Sequence, residues 1–97
     1  MSDATFIVTH DDQTSRYDIH EGSVSRGHID YRADGQVIDM HHTEVDPSQQ
    51  GRGIGSRLAS GALDDVRSRG LKVVPSCPFI ADYIERHPKY TDLIASS

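Results

Sequence analysis

The hydrophobic period of this chain changes once, near residue 46, and that switch limits the folds open to it. Before it, residues 5–10 (TFIVTH), 15–21 (SRYDIHE), 23–32 (SVSRGHIDYR) and 36–45 (QVIDMHHTEV) are rich in β-branched and aromatic residues. DDQ, Gly22 and ADG punctuate them, and Asp34-Gly35 is a hairpin signal. The pattern predicts an antiparallel meander of three or four strands. After the switch, Ile54, Leu58, Ala62 and Val66 recur every fourth residue, widened by Ala59 and Leu63, until Gly70 stops the pattern. Residues 71–75 (LKVVP) read as a short buried strand. Residues 77–88 read as a second helix, started by Pro78, closed by Pro88 and turning Phe79, Ile80, Tyr83 and Ile84 inward. The tail adds a short strand or turn. The order ββββ-α-β-α is an α+β class: a mostly antiparallel sheet with two helices packed on it. The fifth strand follows a helical crossover and can pair in parallel.

With 97 residues the chain reads as one small domain, and 35% hydrophobic with 26% charged residues fits a soluble globule. No apolar run is long enough to span a membrane, and the N-terminus lacks the basic and apolar regions of a signal peptide. The single cysteine, Cys77, rules out an intramolecular disulfide and suits a reducing cytoplasm. A formal net charge of -5, mixed along the chain, disfavours nucleic acid as a partner and leans towards a cationic acceptor such as an amine.

Between the two periods lies QQGRGIGSRL, with glycines at 51, 53 and 55 where a helix should begin. Glycine costs about 1 kcal/mol per helical position relative to alanine. One reading makes these glycines plain turn punctuation. The other uses the free N–H groups and partial positive charge of a helix start, which an anion can approach closely where side chains are missing. A Walker loop would need Lys-Ser/Thr after its last glycine, and GIGSRL has none. A dinucleotide fingerprint would need G-x-G-x-x-G inside a parallel β-α-β unit, and this spacing differs. What fits is Gln-x-x-Gly-x-Gly, from Gln50 to Gly55.

Here the chain resembles the GCN5-related N-acetyltransferase (GNAT) superfamily, whose pyrophosphate loop for acetyl-coenzyme A has this pattern between the fourth strand and its helix. The stretch HTEVDPSQQGRGIGSRL, with PSCPF and HPKY further on, is similar to the very small GNAT-like proteins of the superfamily. The resemblance implies that the loop Gln50, Gly51, Arg52, Gly53, Ile54, Gly55 and Ser56 holds the pyrophosphate, through the backbone amides from Arg52 to Ser56. It also implies that the backbone near Glu44 and Val45 pairs with the pantetheine arm. Acetyl-CoA is then the co-substrate, and no metal is expected.

Acetyl transfer needs a neutral amine, a polarised thioester carbonyl and a proton for the departing thiolate. Cys77 stands first among candidates. It precedes a proline-started helix whose N-terminal amides favour a thiolate, and in the family resemblance this cysteine is the suspected reactive residue. It could protonate the leaving sulfur or accept the acetyl group, against the plainer reading of a packed buried thiol. His42 is second: strict alternation puts Ile38, Met40, His42 and Glu44 on one inward face, with an imidazole available as base and Glu44 as substitute. Tyr83 and Tyr90 are lesser candidates for the acid, with Tyr83 read as core. His10, His20, His28, His41 and His87 read as surface or helix-end residues, and no Cys/His spacing resembles a zinc site.

The chain departs from larger GNAT enzymes between its first two strands, which leave no room for the helices that usually cover the acceptor. An unidentified amine, small or on a lysine or peptide, would enter an open site, in a monomer or a weak homodimer that completes it. Two further readings stand beside the enzyme: an acyl-CoA-binding module without turnover, and an interaction domain whose glycines only turn the chain.

Overall fold

The computed structural model describes residues 6–47 and 53–95. The alternating half forms β1 (Phe6–Asp11), β2 (Arg16–Glu21), β3 (Val24–Asp34) and β4 (Val37–Val45), each antiparallel to the next. The first turn is held by the Asp11 carboxylate, which accepts from the N–H of Gln13 at 2.9 Å and of Thr14 at 3.3 Å. The third hairpin turns one residue later than its sequence signal. Asp34 pairs with Val37, and Gly35, at φ 63°, opens the turn with Gln36.

The periodic half forms α1 (Ile54–Ser68), β5 (Lys72–Val74) and α2 (Pro78–Arg86). The tail coils into a 3-10 segment, Pro88–Leu93, after which Ala95 N–H donates to the Val73 carbonyl at 2.9 Å. Strand order is β1-β2-β3-β4-β5, with β5 parallel to β4, as a helical crossover allows. Helix α1 stops as its glycine predicts: Gly70 N–H bonds the Arg67 carbonyl and Leu71 N–H bonds that of Val66.

One core results. Tyr17, Ile19, Ile29, Ile38, Met40 and Val73 face a helical layer that contributes Leu58, Ala62, Val66, Ile80 and Ile84. Each fully buried aliphatic side chain contributes about 2 kcal/mol of transfer free energy. Phe79, expected on the inner face of α2, is instead 38% exposed. Among the described residues both helices lie on one side of the sheet. The other side carries Arg16, Asp18, His28, Asp30, His42 and Glu44, none of them in the buried core.

Strict alternation fails in β4. Asp30 opposes His42 but Tyr31 opposes Met40, so His41 is an extra residue, a β-bulge. The bulge reverses the phase of everything that follows. Ile38 and Met40 are buried, yet His42 and Glu44 turn to the open face, while Thr43 and Val45 turn to the helices. The expectation that His42 and Glu44 continue the inward face is therefore corrected. A period of two cannot register one inserted residue.

Candidate functional site

Three element ends converge where β4 and β5 part. The two strands pair only over Val37–Asp39 with Lys72–Val74. One further bond, from Cys77 N–H to the Met40 carbonyl at 2.9 Å, marks the fork. Beyond it, among the described residues, β4 keeps its partner on one side only. Asp46 N–H donates to the Arg26 carbonyl at 2.8 Å, which fixes the ladder phase: Glu44 and His42 bond towards β3. By alternation, the N–H and C=O groups of Thr43 and Val45 point away from β3, to the side β5 has left.

The start of α1 lies beside this fork. Gly53 precedes the helix at φ 71°, a left-handed conformation that costs other residues about 1 kcal/mol or more. Its carbonyl accepts the first helical bond, from Arg57 N–H at 3.0 Å, so the N–H groups of Ile54, Gly55 and Ser56 have no acceptor within the helix. Gly55 serves another purpose: a Cβ there would come within 2.8 Å of Phe79 Cζ. The glycines thus answer to backbone conformation at one position and to an aromatic neighbour at another. Gln50, Gly51 and Arg52 lie outside the described residues.

The start of α2 supplies the thiol. Cys77 is the N-terminal cap residue of α2, 6% exposed, and its Sγ donates to Thr43 Oγ1 at 3.3 Å. Cys77 and His42, paired by the sequence reading, sit on opposite faces of the sheet. The residue that meets the thiol is Thr43, which sequence reasoning missed because the bulge hides its direction.

On the open face, His28 and Glu44 face each other across the β3–β4 ladder, as do Asp30 and His42. His42 Nε2 lies 3.4 Å from Glu44 Oε1, and His28 Nε2 lies 3.5 Å from Asp30 Oδ2. Arg16 Nε holds the other oxygen of Asp30 at 2.8 Å. A concavity of about 320 Å³, lined by Arg26, Gly27, His28, Glu44, Asp46 and Pro47, adjoins this group. A similar one of about 330 Å³, beside His10, Gly61 and Asp65, lies along the later half of α1, away from the fork.

Both tyrosine candidates are core residues. Tyr83 stacks on His87 with ring centroids 4.0 Å apart. Tyr90, 1% exposed, donates its hydroxyl to Asp64 Oδ1 at 2.8 Å, and burial with that bond raises its pKa. His10 is no surface residue: it stacks on Tyr17 at 4.5 Å and shares a hydrogen bond with the Tyr31 hydroxyl. Tyr17 in turn donates to Asp65 Oδ2 at 2.6 Å, beside the Arg69 guanidinium at 2.7 Å. Burial pushes the Asp65 carboxyl up, but these two hydrogen bonds pull it further down, below the usual carboxylate range.

The class these elements define is an α+β fold: a mostly antiparallel sheet that forks at a parallel fifth strand, with one helix starting at the fork. The GCN5-related N-acetyl-transferase family profile matches residues 16–93, and the chain belongs to that family. It is similar to mouse protein NATD1, 35% identical over 83 residues that span 84% of this chain and 76% of that protein. Human protein NATD1 is 34% identical over 83 residues, 84% of this chain and 74% of its own. Among solved structures it is similar to a GCN5-like protein from Staphylococcus aureus, with TM-score 0.70 and 24% identity over 94% of this chain and 89% of that one. The ribosomal-protein-S18-alanine N-acetyltransferase from Escherichia coli superposes with TM-score 0.61 at 15% identity, over 79% and 52% of the two chains. At these identities both structures speak for the fold alone.

Proposed function

We propose that this protein is an acetyl-CoA-dependent N-acetyltransferase acting on a cationic amine. The observation that carries this reading is the convergence, at the β4–β5 fork, of a strand edge without a partner among the described residues, a helix start whose first N–H groups have no helical acceptor, and a thiol. Backbone N–H groups of Gly53 to Ser56, with Gln50, Gly51 and Arg52, would receive the pyrophosphate. The edge groups of Thr43 and Val45 would pair with the amides of the pantetheine arm as a further strand would. That places the thioester in the fork, between the helical face and the open face.

The two faces then divide the chemistry. From the open face, where Asp18, Asp30 and Glu44 lie, the amine is drawn in by charge and loses its proton to His42 or Glu44. Its nitrogen attacks the thioester carbon, the carbon–sulfur bond breaks, and Cys77 gives its proton to the departing sulfur from the helical face. The proton that the nitrogen sheds on forming the amide passes to solvent, from which the Cys77 thiolate is reprotonated. A second reading, binding without turnover, is favoured by the near-complete burial of Cys77. Calorimetric titration with acetyl-CoA, with ATP and NAD as controls, tests the site. Steady release of CoA with an amine or lysine-peptide acceptor then separates enzyme from binding module. Absence of heat with acetyl-CoA would remove both readings.

A further inference from the structure

We propose that His28, His42 and Glu44 form a site for a divalent transition-metal ion of the zinc, nickel or copper class on the open face of the sheet. One ligand atom from each of the three lies within 4.8 Å of the other two. For metal–nitrogen bonds of about 2 Å, tetrahedral ligand atoms sit roughly 3.3 Å apart, so the shortfall is about 1.5 Å at most. The side chains of His42 and Glu44 are 51% and 68% exposed, free to close that gap by rotation. The strands beneath them are fixed by their ladder.

Several features favour an ion over a merely polar surface. The bulge at His41 places His42 beside His28, with ring centroids 6.0 Å apart. Two imidazoles and one carboxylate make a borderline donor set, which suits zinc, nickel or copper better than magnesium or calcium. Asp30, anchored by Arg16, sits against the His28 ring and would orient it, as carboxylates do behind ligating histidines. The adjoining concavity leaves the remaining coordination position open to water or a small ligand. No local spacing announces such a site, because its ligands come from two strands and only the hairpin brings them together.

The inference stands apart from the acetyltransferase reading, since it rests on the open face alone. It also bears on that reading: an ion takes the lone pair of His42, so metal binding and general-base work exclude one another there.

The test is a calorimetric titration of the untagged full-length protein with zinc chloride, with copper(II) resonance spectra to count nitrogen ligands. The expected result is one ion per chain and two imidazole nitrogens. His28→Ala and His42→Ala should each weaken binding by about tenfold or more, while His41→Ala leaves it unchanged. Circular dichroism checks that each variant is folded. Absence of binding to the wild-type protein, or binding that survives either His28→Ala or His42→Ala, overturns the proposal.

Discussion

The Sγ of Cys77 sits 3.3 Å from the Oγ1 of Thr43, and this contact ties the start of α2 to the one stretch of β4 whose edge is open. It makes the buried thiol part of the fork as well as of the core. Replacing Cys77 by Ala should lower acetyl transfer by about 100-fold or more, the scale of a lost general acid, while acetyl-CoA binding persists. Turnover retained in that variant would assign the thiol to packing. An acetyl group found on Cys77 by mass spectrometry would make it the nucleophile instead.

The helix start can be tested by charge. Gly53→Glu is a poor probe, because φ 71° strains any side chain there. Ser56 is exposed in the first turn, where a carboxylate favours the helix by a few tenths of a kcal/mol. Ser56→Glu should therefore keep or raise the melting temperature and still weaken acetyl-CoA binding by about tenfold or more through repulsion of the pyrophosphate. Unchanged affinity would place the phosphates elsewhere.

Gly61 looks like a weakness in α1 and is a packing device. A Cβ there would come within 2.6 Å of Val8 Cγ2 and 2.8 Å of Val8 Cβ. Gly61→Ala should lose about 1 kcal/mol net, the overpacking cost exceeding the helix-propensity gain. In a Val8→Ala background the same change should cost less, because the Cγ contacts are gone while the Cβ at 2.8 Å remains, and a chemical-denaturation cycle on the four proteins measures the difference.

Stability should fall in alkali. Tyr17 is 1% exposed, and burial together with its bond to Asp65 raises its pKa well above the usual tyrosine value. A group whose pKa rises on folding contributes stability below its unfolded pKa, about 10 for tyrosine, and loses it as pH climbs. The loss runs at about 1.4 kcal/mol per pH unit for each such tyrosine. Tyr17→Phe should flatten this alkaline slope by one proton, seen in unfolding free energies between about pH 10 and 11. Asp65 acts oppositely: its lowered pKa adds stability above about pH 4, which is lost on acidification.

Most of the architecture was legible because it rests on period and punctuation. Ile54, Leu58, Ala62 and Val66 do line the buried face of α1, and β5 does pair in parallel with β4. The site was half legible. Cys77 was visible from its place between strand and proline. The face of His42 was misread because one extra residue, His41, reverses the strand, and nothing in local composition marks it. The partners His28, Asp30 and Thr43 come from pairing and from a helix packed across the sheet. Arg67 shows the same limit: it lies on α1, and only the packed fold reveals that it grips Asp92 with two bonds of 2.8 and 2.9 Å.

The bulge at His41 gives β4 two independent vocabularies. Residues before it are written in the language of volume, where Ile38 and Met40 admit only what fits. Residues after it, His42 and Glu44, face water, and their chemistry can be exchanged without repacking anything. Deleting His41 would translate one into the other, driving an imidazole and a carboxylate inward and lifting Thr43 away from the thiol. A single residue thus keeps the foldable part of the strand and its reactive part from being edited together.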